Sequence, residues 1–221
     1  MKPHLLFVLL VTLVGSIASS RAELPTDITT ATYRLTPGQN DADWQPLLSD
    51  LRSKPPLKAV FEERRFFPFR KNPVTLTGEI RLDAERGLSL HYLTPDDRIM
   101  VVDSRGGFMI DEKSRRRELP DDPRAQAATR ALLNVMRFDL TALDRNFELF
   151  GVRDGSVWRF AFVPRPGVLA EVLFPIIVTG EGALLREIEM RKTGSQRVQI
   201  IIGETATGVT FSADELARFF R

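Results

Sequence analysis

Apolar and polar residues alternate with a period of two through most of this chain. Val74, Leu76, Gly78, Ile80 and Leu82 interleave with Thr75, Thr77, Glu79, Arg81 and Asp83. That period predicts a strand with one wet face. Gly87 marks a turn, after which Leu88, Leu90 and Tyr92 continue the pattern. Pro95-Asp96-Asp97 turns the chain into a strand over Arg98 to Asp103, and Gly106-Gly107 turns it into Phe108 to Glu112. Upstream, Leu57 to Phe69 mixes charged residues with Phe61, Phe66, Phe67 and Phe69. Downstream, strand patterns over Phe147 to Val152, Val157 to Val163, Phe174 to Gly180, Leu184 to Lys192 and Arg197 to Gly203 are separated by short turns. Val209 to Phe211 predicts a short last strand. Roughly ten strands with short connections predict a meander-like antiparallel sheet.

Helical spacing interrupts the alternation. Trp44, Leu47, Leu48 and Leu51 fall at helical intervals, with Asp43 as a cap before them and Pro55-Pro56 as a stop after. Pro123 suits a first helical residue, and Ala125 to Arg137 follows with Ala128, Leu132, Val135 and Met136 on one face. Gly167 to Leu173 predicts a helical turn. Ser212 is placed to cap a terminal helix over Ala213 to Phe220. Residues 23 to 40 are polar and Thr-rich, an arm or an edge strand.

The first residues read as a leader. Lys2 precedes an apolar run from Leu5 to Val14, and Ser20-Arg21-Ala22 is an acceptable cleavage site. The run is about ten residues, where a membrane span needs roughly 20. The expected organisation is a signal peptide over 1–22 and a single domain over 23–221. With no cysteine, the chain has no lipobox thiol, disulfide framework or thiol chemistry. The expected compartment is therefore the bacterial periplasm. Lys2 and Arg21 would leave with the leader, which holds no acid. The 31 basic residues then fall to match the 29 acidic ones. That balance argues against a nucleic-acid partner. Arg115-Arg116-Arg117, flanked by acids, reads as a solvated turn.

Catalytic signatures are missing. There is no nucleophile elbow, zinc-protease motif or P-loop. Gly180-Glu181-Gly182 lacks the third glycine of a dinucleotide fingerprint. Glu62 and Glu63 point to opposite strand faces. Asp96-Asp97 and Asp121-Asp122 sit beside proline as turn residues, and Asp139 reads as a helix-end residue. His91, opposite Leu90 and Tyr92, reads as a surface histidine. Trp44 and Trp158 fit a core or the wall of a ligand site. No enzyme activity and no cofactor or metal is expected.

The apolar faces are broad, and a twisted sheet of this size curls. It either closes on a packed interior or stays an open trough covered by helices. The residues alone leave both open.

A longer pattern bears on that choice. A helix ending in Arg130-Ala131-Leu132-Leu133-Asn134-Val135-Met136-Arg137-Phe138-Asp139 is followed by Leu143 and Phe147. Then come the strand Trp158-Arg159-Phe160-Ala161-Phe162-Val163-Pro164 and Ile176-Ile177-Val178-Thr179-Gly180. With Phe61-Glu62-Glu63-Arg64-Arg65 and Gly78-Glu79-Ile80 upstream, this order resembles the LolA-like periplasmic lipoprotein carriers, in a diverged branch. The resemblance spans about Trp44 to Phe211. It implies an α+β fold, mainly antiparallel β: an unclosed half-barrel with a helical lid. It implies an apolar cavity for acyl chains of a lipoprotein or other lipid, carried toward the outer membrane. The lining it suggests is Leu76, Ile80, Leu90, Tyr92, Phe147, Trp158, Phe160, Phe162 and Ile177. In the family an arginine tethers the lid, and Arg86 is the nearest match. Partners would be an inner-membrane exporter and an outer-membrane acceptor, and the protein would be a monomer. The alternatives are a periplasmic sensing or interaction module on the same fold, and an enzyme acting on envelope lipids.

Overall fold

A computed structural model describes residues 24–119 and 123–221. The leader and the Asp121-Asp122 turn lie outside the described residues. Among the described residues, twelve strands form one sheet. They are β1 (Arg34–Leu35), β2 (Leu57–Phe66), β3 (Val74–Asp83), β4 (Gly87–Thr94), β5 (Arg98–Asp103), β6 (Gly106–Ile110) and β7 (Arg116–Glu118), then β8 (Phe147–Asp154), β9 (Val157–Pro164), β10 (Ile176–Glu181), β11 (Leu184–Thr193) and β12 (Gln196–Thr207). The helices are α1 (Gln45–Ser53), α2 (Pro123–Met136), α3 (Leu140–Asp144), α4 (Val168–Val172) and α5 (Ala213–Phe219). No described helix is long and apolar enough to cross a membrane.

The strand order is β1-β8-β9-β10-β11-β12-β2-β3-β4-β5-β6-β7, with every pairing antiparallel. The two edges, β1 and β7, do not pair, so the barrel is unclosed. This order also explains the lid. The chain leaves the sheet at β7, one edge, and re-enters at β8, beside the other edge. Its connection must cross the trough, and α2 and α3 are that connection. The closest approaches of α2 are to β5 and β6 on one side and to α3 and α4 on the other. It arches over the middle strands.

Some local expectations are corrected. The triple arginine includes an edge strand, β7, rather than a turn, because Arg116 and Arg117 pair with Ile110 and Met109. Val209 to Phe211 is not a strand. β12 instead runs on to Thr207, and the chain then turns away through Gly208 at φ +65°. Asp43 caps nothing, since the helix starts with a 3-10 turn over Ala42–Trp44. Asp41 takes the anchoring role, accepting from the Gly38 amide (2.8 Å) and Gln45 Nε2 (2.7 Å). The cap at Ser212 holds as a reciprocal box with Glu215.

The sheet buries both faces in part. The concave side holds the main core, with α1, α2 and α3 over it. On the convex side α5 packs Phe219 and Phe220 against Ile99, Val101 and Phe108. That helix buries His91, which is 6% exposed and lies 2.9 Å from Asp97 Oδ1 through Nε2. The surface expectation for His91 fails because one-faced alternation cannot reveal that a terminal helix covers the polar side of β4.

Candidate functional site

The trough is filled on its β9 side and hollow over its middle strands. Filling comes from aromatic rings on β9 and the lid. Trp158, Phe160 and Phe162 are at most 1% exposed. Phe160 lies 4.7 Å from Trp44, 5.5 Å from Trp158 and 6.1 Å from Phe162, ring to ring. Phe138, just past α2, closes the group at 5.7 Å from Trp158. A glycine makes this packing possible. A Cβ on Gly180 would lie 2.0 Å from Trp158 Cζ2, so only a bare backbone lets the indole lie across β10. The indole Nε1 is satisfied by donating to the Gly182 carbonyl at 2.7 Å.

Beyond this plug the side chains stop meeting. A cavity of about 620 Å³ lies between the middle strands and α2. Its floor comes from alternate residues of β3, β4 and β5 (Ile80, Leu88, Leu90, Tyr92, Met100, Val102) and of β10, β11 and β12 (Ile176, Ile188, Met190, Val198, Ile200). Its roof is Ala128, Thr129, Leu132 and Met136 of α2, with Leu119 at one side and Val172, Leu173 and Phe174 at the other. Phe66 and Phe67 stand at the end where β2 leaves the sheet. Val172 and Phe174 keep over a third of their surface exposed, so this end is the mouth. A void of about 40 Å³ on the far side shares Ile80 and Met136 with the cavity.

Polar residues interrupt the apolar wall in two places: Gln196 and Arg197 on β12, and a cluster centred on Glu63. Glu63 is 3% exposed on the concave face. Its carboxylate accepts from Tyr92 Oη (2.8 Å) and from Arg65 Nε. The buried acid is therefore paired and hydrogen-bonded, as burial demands. Burial pushes the Tyr92 phenol well above its usual range, and the adjacent Glu63 carboxylate adds to the shift. Desolvation pulls the Arg65 guanidinium down, but Glu63 outweighs it and the net shift is upward. Among the described residues no group of His, Asp and Glu is placed to hold a metal.

The expected lining separates into five places. Ile80, Leu90 and Tyr92 line the cavity. Leu76 is buried in the surrounding core, and Trp158, Phe160 and Phe162 form the plug. Phe147 borders a separate cleft among α2, α3 and α4, beside Arg130, Arg145 and Arg165. Ile177 faces outward, where it packs with Ile28, Phe150 and Ala161. The parity of β10 is the reason: Ile176 pairs with Phe162 and shares its concave face, so its neighbour points away. Ile188, Met190, Val198 and Ile200 also line the cavity, and Ile188-Glu189-Met190-Arg191 carries the period-two signal that marks such a face. Asp139 is the N-cap of α3, accepting from the Ala142 amide at 3.0 Å.

Among the described residues, Arg86 makes no hydrogen bond or ion pair with the lid. Its guanidinium lies 3.4 Å from Asp83 within its own turn. The link runs the other way. Arg137, at the end of α2, donates through Nη2 to the Ala84 carbonyl in the β3–β4 turn (2.9 Å).

No family model matches the sequence, and no curated protein sequence matches it. Solved structures similar to the chain include the MucA/MucB complex of Pseudomonas aeruginosa, at 17% identity and a TM-score of 0.46 over 79% of this chain. The chain spans 59% of that neighbour's length. The LolA superfamily protein NE2245 of Nitrosomonas europaea is similar at 8% identity and a TM-score of 0.41, covering 78% of this chain and 96% of that one. A putative outer membrane lipoprotein-sorting protein domain of Vibrio parahaemolyticus is similar at 5% identity and a TM-score of 0.39, covering 79% and 94%.

Proposed function

We propose that this protein is a periplasmic carrier that holds the acyl chain of a lipid or lipoprotein in the trough beneath α2 and moves it toward the outer membrane. The supporting observation is the cavity of about 620 Å³ whose walls are mainly apolar. That volume falls in the range of about 300–1,000 Å³ that small-molecule sites occupy. Each methylene buried there contributes about 0.8 kcal/mol. A chain of some sixteen carbons brings on the order of 12 kcal/mol before ordering costs. The leader-like first 22 residues support export. Exchange of cargo requires α2 to lift, and the Arg137–Ala84 contact is the bond that such a movement breaks.

The test is native purification followed by mass spectrometry of an organic extract, with uptake of a fluorescent fatty acid by the delipidated protein. Bound lipid and saturable uptake are expected. An empty extract together with no uptake defeats the reading. A stable protein partner that ignores lipid would favour the sensing module instead.

A further inference from the structure

The mouth of the cavity has a chemistry of its own. Three segments meet there: 66–73 after β2, 168–175 before β10, and 191–197 at the β11–β12 hairpin. Strand pairing puts them side by side, since Phe66 pairs with Arg197 and Ile176 with Met190. Phe69 is 82% exposed, the most exposed of the large apolar side chains among the described residues. It stacks on Phe67 at 5.4 Å, and Phe67 lines the cavity. Val168 and Val172 are also exposed. Basic residues stand among these apolar ones: Arg70, Lys71, Arg191, Lys192 and Arg197. Arg191 and Arg197 are paired with Glu189. Arg70, Lys71 and Lys192 have no acidic partner among the described residues. Lys192 instead lies 5.4 Å over the Phe174 ring. Glu171 is the one acid inside the three segments. Other acids at this end lie farther along the sheet: Asp96, Asp97, Asp111 and Glu112 beyond β3, on the turns of β4–β5 and β6–β7, and Asp144 and Glu148 at the β8 flank, where Arg165 and Arg34 pair with them.

Exposed phenylalanines beside unpaired cations are poorly accommodated in water but well suited to one surface. An aromatic ring partitions into the boundary between headgroups and acyl chains, while lysine and arginine reach anionic phosphates. We propose that this rim docks the protein on an anionic phospholipid bilayer, so that the cavity mouth opens against the membrane. The inference rests on the carrier reading for its purpose but not for its evidence. The acids beyond β3 make the contact one-sided, through the Phe69 flank of the mouth. A docked mouth lets an acyl chain pass between bilayer and trough without crossing water.

Co-sedimentation with vesicles tests it. One set is phosphatidylcholine alone, and the other carries a third phosphatidylglycerol. All proteins keep the same N-terminus, so any contribution from it cancels. The wild type is expected to bind anionic vesicles, to bind neutral ones far less, and to be released by salt. Each surface cation contributes about 1 kcal/mol, or about fivefold, so Arg70→Ala with Lys71→Ala should weaken binding roughly thirtyfold. Phe69→Ser should weaken it at every salt concentration. All three side chains are exposed and line no cavity, so uptake of a soluble fluorescent fatty acid should be unchanged. Equal binding by wild type and variants, or wild-type indifference to both vesicles, overturns the proposal; the latter would leave the rim as a protein-docking surface. Loss of fatty-acid uptake in the wild type would strike the carrier reading alone.

Discussion

Ala128→Phe is the sharpest test of whether the trough is hollow. Ala128 faces the cavity from α2. In a packed interior an added phenyl ring forces off-rotamer side chains, costing about 1–3 kcal/mol. In a hollow it finds apolar walls and no occupant. Burying a phenylalanine side chain contributes about 1.5–3 kcal/mol. The lower helix propensity of phenylalanine takes back about 0.5 kcal/mol. The delipidated variant should therefore be more stable by about 1–2.5 kcal/mol. For a domain of this size that is a rise in Tm of about 2–10 °C. The ring also takes space from a guest. Displacing roughly three methylenes costs about 2.4 kcal/mol, or about fiftyfold in fatty-acid affinity. The assays are thermal unfolding followed by circular dichroism and a fluorescent fatty-acid titration, both on delipidated protein. A variant that loses more than about 1 kcal/mol of stability, with affinity unchanged, would refute the hollow and the carrier with it.

Phe160→Ala should behave in the opposite way, losing about 3–5 kcal/mol in denaturant unfolding, because that ring is fully enclosed in the plug. Gly180→Ala should destabilise by several kcal/mol, on the order of a large core disruption, because its Cβ would lie 2.0 Å from the Trp158 ring; a variant with wild-type Tm would show that the indole lies elsewhere. Arg137→Ala should leave the barrel intact but speed amide exchange along α2, read by hydrogen-exchange mass spectrometry, since it removes the contact with Ala84. Tyr92 should make the protein sensitive to alkali. Its folded pKa is raised above the unfolded value of about 10, so its contribution is fully present below pH 10 and falls as pH rises beyond it. In a Tyr33→Phe background, phenolate absorbance should appear only well above pH 10 or together with unfolding. Absorbance rising at the ordinary phenol pKa in folded protein would contradict the Glu63 contact.

What the chain determines by itself is the alternation and its punctuation. Period-two runs such as 74–83 can bury only one face, and turn residues between them leave neighbours little choice but to pair antiparallel. The helices follow from spacing and caps in the same local way. Alternation likewise sets Ile80 on the apolar face of its own strand, and Leu90 with Tyr92 on the apolar face of theirs, because parity within a strand is local. Three things needed the folded molecule. Relative parity between strands depends on register, so Ile177 and Ile176 exchange roles once β10 pairs with β9. The polar side of β4 is buried only because α5, more than a hundred residues later, packs over it. Above all, apolar residues read alike whether they touch one another or enclose a hollow. Trp158 and Ile188 have the same signature in sequence. The height at which α2 crosses the trough leaves one in a packed plug and the other facing unfilled volume.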